Sequence, residues 1–173
     1  MAFDLSKSLN AIFNTPSPPG LGPERRADAL PIGELESDLE SAVSQSSVSG
    51  GSADLVRSAA LLWHDHLDAS HTLSQDIRSN DGSFLHGIMH RREPDYPNAK
   101  YWFNRVGTHD VFLDIFNRAK AILTGTGLAH LIESEWDPFA VVDSVSQAGL
   151  NSKEYKLLQQ VQKIEFEVLL KRF

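Results

Sequence analysis

Apolar residues recur along this chain at intervals of three and four, the period of a helix with one buried stripe. Leu55, Ala59, Leu62, His66, Ala69, Leu73 and Ile77 predict one long helix over about 54 to 77, capped by Ser52 or Asp54. His64, Asp68, His71 and Gln75 fall on a second, polar stripe of it. After the turn formers RSNDG, Ser83 can cap a second helix with Leu85, Ile88 and Met89 inward, and Pro94 stops it. Asp95 and Pro97 start a third helix, which buries Ala99, Trp102, Phe103 and Val106 and ends at Gly107. Thr108 opens a fourth on Val111, Phe112, Ile115, Ala119, Ile122 and Leu123, and residues 128–133 add one turn. Asp137 and Pro138 begin a fifth through Phe139, Val142 and Val145. Asn151 with Glu154 resembles a capping box for a sixth, lying on Leu158, Val161, Val168 and Leu169. No alternation of period two runs far enough for a strand, so the expected fold is all-α, a compact bundle of about six helices.

The first 53 residues differ in kind. TPSPPGLGP consists of turn formers and SQSSVSGGSA is a linker composition, so residues 1–53 are expected to form a partly disordered arm. Leu35, Leu39 and Val43 predict one short helix within it, able to dock on the domain at 54–173. The arm holds three basic and seven acidic residues, a net of −4 out of −7 for the whole chain. That overall sign excludes a general nucleic-acid binder, which needs a basic face to displace counterions. No apolar run is long enough to span a bilayer, and no basic start with an apolar stretch marks a secretory signal, so the expected location is cytoplasmic. Zero cysteines exclude disulfides and thiol catalysis.

Chemistry gathers in residues 61–109, which carry six of the seven histidines. His64, Asp68 and His71 share the spacing i, i+4, i+7 with His86, His90 and Glu93, so each triplet lies on one helical stripe. Two such helices facing each other would bring imidazoles and carboxylates into one site. Residues 86–105 add Arg91, Arg92, Lys100 and Arg105 against Glu93 and Asp95, a net of +2 in an acidic protein. Glu165 breaks the apolar stripe of the last helix and calls for an internal partner, such as an arginine of this block.

The stretch GSFLHGIMHRREPDYPNAKYWFNRVGTHDVF resembles a Sel1-like or tetratricopeptide-type hairpin through its D-x-x-x-A-x-x-W-F run and terminal glycine. It occurs once, so a solenoid is not expected. From about Leu61 onward the chain also resembles a group of small proteins that carry the blocks WHDHLDASH, GSFLHGIMHRREPDYPNAKYWFNRVG and WDPFAVVD. That resemblance implies that Asp68, His71, His86, His90, Arg91, Arg92, Glu93, Lys100 and His109 belong to one site.

Three readings follow. In an acid–base enzyme, Asp68 would orient His71 as base, with His86, His90 and Glu93 as further catalytic groups. Arg91, Arg92, Lys100, Tyr101, Arg105 and His109 would then bind a small anionic or polar ligand. In a metal protein, His86 and His90, one turn apart, would meet one divalent ion as cofactor, completed by Glu93, Asp68 or His71. In a non-catalytic interaction module the same residues would form a satisfied internal network. Homo-oligomerisation is compatible with this composition.

Overall fold

The computed structural model describes residues 7–173, and the first six residues of the predicted arm lie outside them. Among the described residues the chain is entirely helical, with nine α-helices and one 3-10 turn. They are α1 (Lys7–Ile12), α2 (Ile32–Ser44), α3 (Gly51–Trp63), α4 (Leu67–Ser74), α5 (Asn80–Arg92), α6 (Tyr96–Val106), α7 (Phe112–Leu123), α8 (Pro138–Gln147) and α9 (Lys153–Leu170); the 3-10 turn is Ala129–Ile132. None of the described helices is long and apolar enough to cross a membrane.

At the centre is α5, whose residues 82–92 are all buried. It forms a hairpin with α6 in which residues pair antiparallel: Gly87 faces Phe103, and His90 faces Asn98. A Cβ on Gly87 would lie 3.0 Å from the Phe103 ring, so the close approach of the two helices depends on a glycine there. The α6 boundaries are the predicted ones. Asp95 caps its first turn by accepting the Asn98 N–H at 3.3 Å, and Gly107 ends it with a left-handed φ of 60°.

The predicted long helix over 54–77 is two. It breaks after Trp63, where Asp65 takes a left-handed φ of 64°, and restarts as α4 at Leu67. An aspartate tolerates that conformation better than most residues, and here two arginines hold it. The arginines are Arg26, 2.8 Å from Oδ2, and Arg92, 2.6 Å from Oδ1. Periodicity alone cannot register such a break, because both halves continue to bury one face.

The arm is also more ordered than its composition predicts. Residues 7–53 pack on the domain, with Leu9, Phe13, Leu21, Leu35 and Leu39 in the common core. Its proline- and glycine-rich part offers few N–H groups, and side chains of the domain bind its carbonyls instead. Arg92 donates to Gly22 O at 3.1 Å, Gln162 to Gly20 O at 2.8 Å and His66 to Leu30 O at 2.8 Å. Arg26 donates to Ser17 O at 2.6 Å and to Trp63 O. Cap positions shift by a residue or more. Ser79, not Ser83, caps α5 through the Gly82 N–H, and Ser152, not Asn151, caps α9. Gly50 precedes α3 in place of Ser52 or Asp54, and α7 starts at Phe112 rather than Thr108.

Candidate metal centre

Three histidines meet where α4 crosses the hairpin. His71 comes from α4, and His86 and His90 stand one turn apart on α5. One ring nitrogen from each lies within 4.8 Å of the others. Between His86 and His90 the two Nε2 atoms face each other at 3.0 Å. The imidazoles of His71 and His86 have centroids 4.8 Å apart, and those of His71 and His90 5.3 Å.

The opposite edges of the rings are held. His90 Nδ1 lies 3.0 Å from a Glu93 carboxylate oxygen, which accepts its N–H and leaves Nε2 as the unprotonated nitrogen. His86 Nδ1 lies 3.2 Å from Ser74 Oγ, and that hydroxyl reaches the His71 carbonyl at 3.3 Å. When the Ser74 hydroxyl donates to that carbonyl it accepts from His86 Nδ1, and His86 Nε2 is bare as well. Two lone pairs 3.0 Å apart repel unless a proton or a cation lies between them. Carboxylate or hydroxyl groups on the outer nitrogen are the usual means of orienting metal-ligating histidines.

Around this point the walls are mixed. The Trp102 ring stacks on His86 with centroids 3.9 Å apart, and the Asn98 side-chain nitrogen lies 3.1 Å from His90 Nε2. His86 and His90 are buried and His71 is half-buried, so access is from the His71 side. Burial, with His90 and His71 nearby, pushes the His86 imidazole down from its usual 6.5 to about 3. His90 is also lowered, by burial first, although the Glu93 carboxylate acts in the opposite sense. These rings are therefore neutral near pH 7, the form in which an imidazole binds a metal.

Several predicted site residues are elsewhere. The helix break removes His64 from the stripe; its Nε2 donates to Ile12 O at 2.8 Å and its Nδ1 accepts from the Leu30 N–H at 3.1 Å. Asp68 is exposed, and among the described residues His71 has no carboxylate partner, so the expected Asp68–His71 pair is not formed. Arg91 and Arg92 do not face a ligand. Arg91 forks onto Glu165 at 3.2 and 2.5 Å, with Gln162 at 3.2 Å, and both side chains of the pair are fully buried. This is the partner that Glu165 required. Consecutive helical residues point about 100° apart, so the arginines following His90 turn away from it toward α9 and the arm. Lys100 bridges to Asp143 on α8 at 2.6 Å, and His109 binds Asp81 at 3.1 Å near the start of α5. Tyr101 is exposed and touches Trp102 edge-on, while Arg105 lies over that indole, 5.1 Å from a ring centre.

Ser74 and Asn98 are residues that periodicity did not mark, and Trp102, which it placed on the buried face of α6, is half-buried over His86. Ser74 lies three residues after His71, on the face that meets α5, and Asn98 three after the Asp95 cap. Their signal was spacing to chemistry-bearing neighbours, and only the helix crossing gives it meaning.

Fold and site together define an all-α protein with a cluster of three histidines, two of them buried. No family model matches the chain, and no curated protein or solved structure is significantly similar to it.

Proposed function

We propose that this protein is a small helical metalloenzyme in which His71, His86 and His90 hold one divalent transition-metal ion. The reading rests on the convergence of the three ring nitrogens within 4.8 Å. Orientation of His86 by Ser74 and of His90 by Glu93 supports it. Imidazole bonds of about 2.0–2.1 Å to a tetrahedral ion would separate ligand nitrogens by about 3.3 Å, which asks only a few tenths of an ångström of His86 and His90. His71, being half-buried, has room to swing in. Three protein ligands leave a position for water, whose acidity a metal raises. Asn98 stands close enough to hold that water, and Glu93 acts through His90 as a positioning residue. The chemistry expected is acid–base attack by this water on a small anionic or polar molecule.

Elemental analysis of untagged protein purified without chelator tests the proposal. Wild type should carry close to one equivalent of a transition metal, and the His71→Ala and His86→Ala/His90→Ala variants little or none. A wild type that stays metal-free after incubation with zinc, cobalt or manganese salts would refute it. The stacked His86–Trp102 pair supports a second reading, a proton-only network that fixes the α5–α6 hairpin. On that reading His86→Ala lowers the melting temperature equally with and without added metal.

A further inference from the structure

With Arg91 and Arg92 committed to internal carboxylates, two other cations remain beside the histidines. An open depression there is lined by Gln75, Arg78, Ser79, Asn80, Ser83 and Arg105. Gln75 follows Ser74, which contacts His86, and Ser83 lies one turn before His86 on α5. Arg105 lies over the Trp102 indole, which also stacks on His86. The depression and the histidine cluster are thus neighbours along α4 and α5.

Neither arginine is neutralised among the described residues. The polar contact of Arg105 is a long one, 3.5 Å to the Tyr101 hydroxyl, and Arg78 forms no ion pair. Asp81, the acid in the first turn of α5, is taken up by His109 and Arg172 at 3.1 and 3.0 Å. Asp76 is exposed and pairs with neither. In a chain of net charge −7, two unpaired guanidinium groups around one depression reverse the local sign.

Ser83 supplies an independent observation. It is only 6% exposed, it lines the depression, and its hydroxyl has no hydrogen-bond partner among the described residues. Open to the depression, that hydroxyl is free to donate to a ligand there. Ser79 accepts the Gly82 N–H at 3.0 Å, so its own proton is also available on the same side.

We propose that this depression binds the phosphoryl oxyanion of a small-molecule ligand, held between the Arg78 and Arg105 guanidinium groups and by the Ser83 hydroxyl. Two guanidinium forks, two hydroxyls and the amides of Gln75 and Asn80 offer more donors, in more directions, than the single plane of a carboxylate can use. The three oxygens of a phosphoryl group match them. That the ligand is also the substrate of the histidine centre rests on the metalloenzyme reading; the anion site stands on the arginines and Ser83.

Calorimetric titration of the full chain with inorganic phosphate, and separately with acetate, tests the site. Metal content is measured in the same preparations. Phosphate should bind and acetate should be much weaker. Each of Arg78→Gln and Arg105→Gln should weaken phosphate binding by about tenfold, the loss of one charge-assisted hydrogen bond. The double variant should abolish binding with its melting temperature and metal content unchanged, and Ser83→Ala should weaken binding less. Phosphate binding that survives in the double variant would overturn the proposal, since a bound metal would then be the anion's partner. So would acetate binding as tightly as phosphate, or no phosphate binding by wild type at millimolar concentration. Loss of phosphate binding in variants of a protein that never carries metal would keep the anion site and remove the metalloenzyme reading.

Discussion

Two buried polar clusters meet on the last two turns of α5, one made of arginines and the other of histidines. In the first, Arg92 donates to Asp65 and to two backbone carbonyls, Leu62 O and Gly22 O. Arg91 and Glu165 complete a two-bond fork inside the protein. Each carboxylate is met by at least one guanidinium, and most donors have acceptors, as a network with a structural role requires. In the second cluster, nitrogens of three imidazoles from two helices lie within 4.8 Å of one another. The contrast shows that burial and polarity alone do not mark a site. What distinguishes the histidines is that their ring nitrogens gather on one another and not on a matching set of opposite charges.

Breaking the arginine cluster should have the largest effect. Arg92→Ala leaves the Asp65 carboxylate buried without one of its two cations and frees Gly22, so stability should fall by about 3–5 kcal/mol. Residues 14–31 should also become open to protease. Urea unfolding and limited proteolysis measure both, and a loss under 1 kcal/mol with an uncut arm would contradict the role given to Asp65.

Acid should then separate the clusters without any mutation. The lowered His86 value of about 3, against an ordinary 6.5, means that between these limits the unfolded chain binds a proton that the folded chain refuses. Stability is thus complete above pH 6.5 and is lost as pH falls through this window. His64 and His90 are lowered as well and act in the same direction. Guanidinium groups do not titrate there, and the Asp28 carboxyl, although its burial acts the other way, is held below its ordinary value by Ser17 and Arg26. Denaturation midpoints of chelator-treated protein at pH 7.5, 6 and 4.5 should decline steadily, and a flat series would argue that the histidines are not desolvated in solution.

The smallest effect on stability is expected from His71→Ala. The ring is half-buried and has no hydrogen-bond partner among the described residues, so its removal should cost under about 1 kcal/mol. If unfolding shows a loss of several kcal/mol instead, His71 is a packing residue, and the distinction between the two clusters weakens.

Much of this was legible in the chain. The three-and-four periodicity of apolar residues predicts helices everywhere, and α6 with its Asp95 cap and Gly107 stop is found where the pattern places it. His86, His90 and Glu93 lie on one stripe as their spacing requires, because that relation is set within a single helix. His64, Asp68 and His71 had the same spacing, yet the break at Asp65 separated His64 from the others. Nothing local demands that break; it is stabilised by Arg26, 39 residues earlier, and by Arg92, 27 later. Likewise the proline-rich arm reads as loose until the donors for its carbonyls are found in His66 after α3, Arg92 on α5 and Gln162 on α9.

The sequence by itself determined the helical class, the helix ends written in local caps and prolines, and the pairing of His86 with His90, since each depends on residues within a few positions of one another. The tertiary structure alone decided that His71 joins them, that Arg91 and Arg92 turn inward, and that Arg78 and Arg105 are left without acids. Those outcomes depend on which helix faces cross, and a buried charge goes to whichever distant partner that crossing brings within reach.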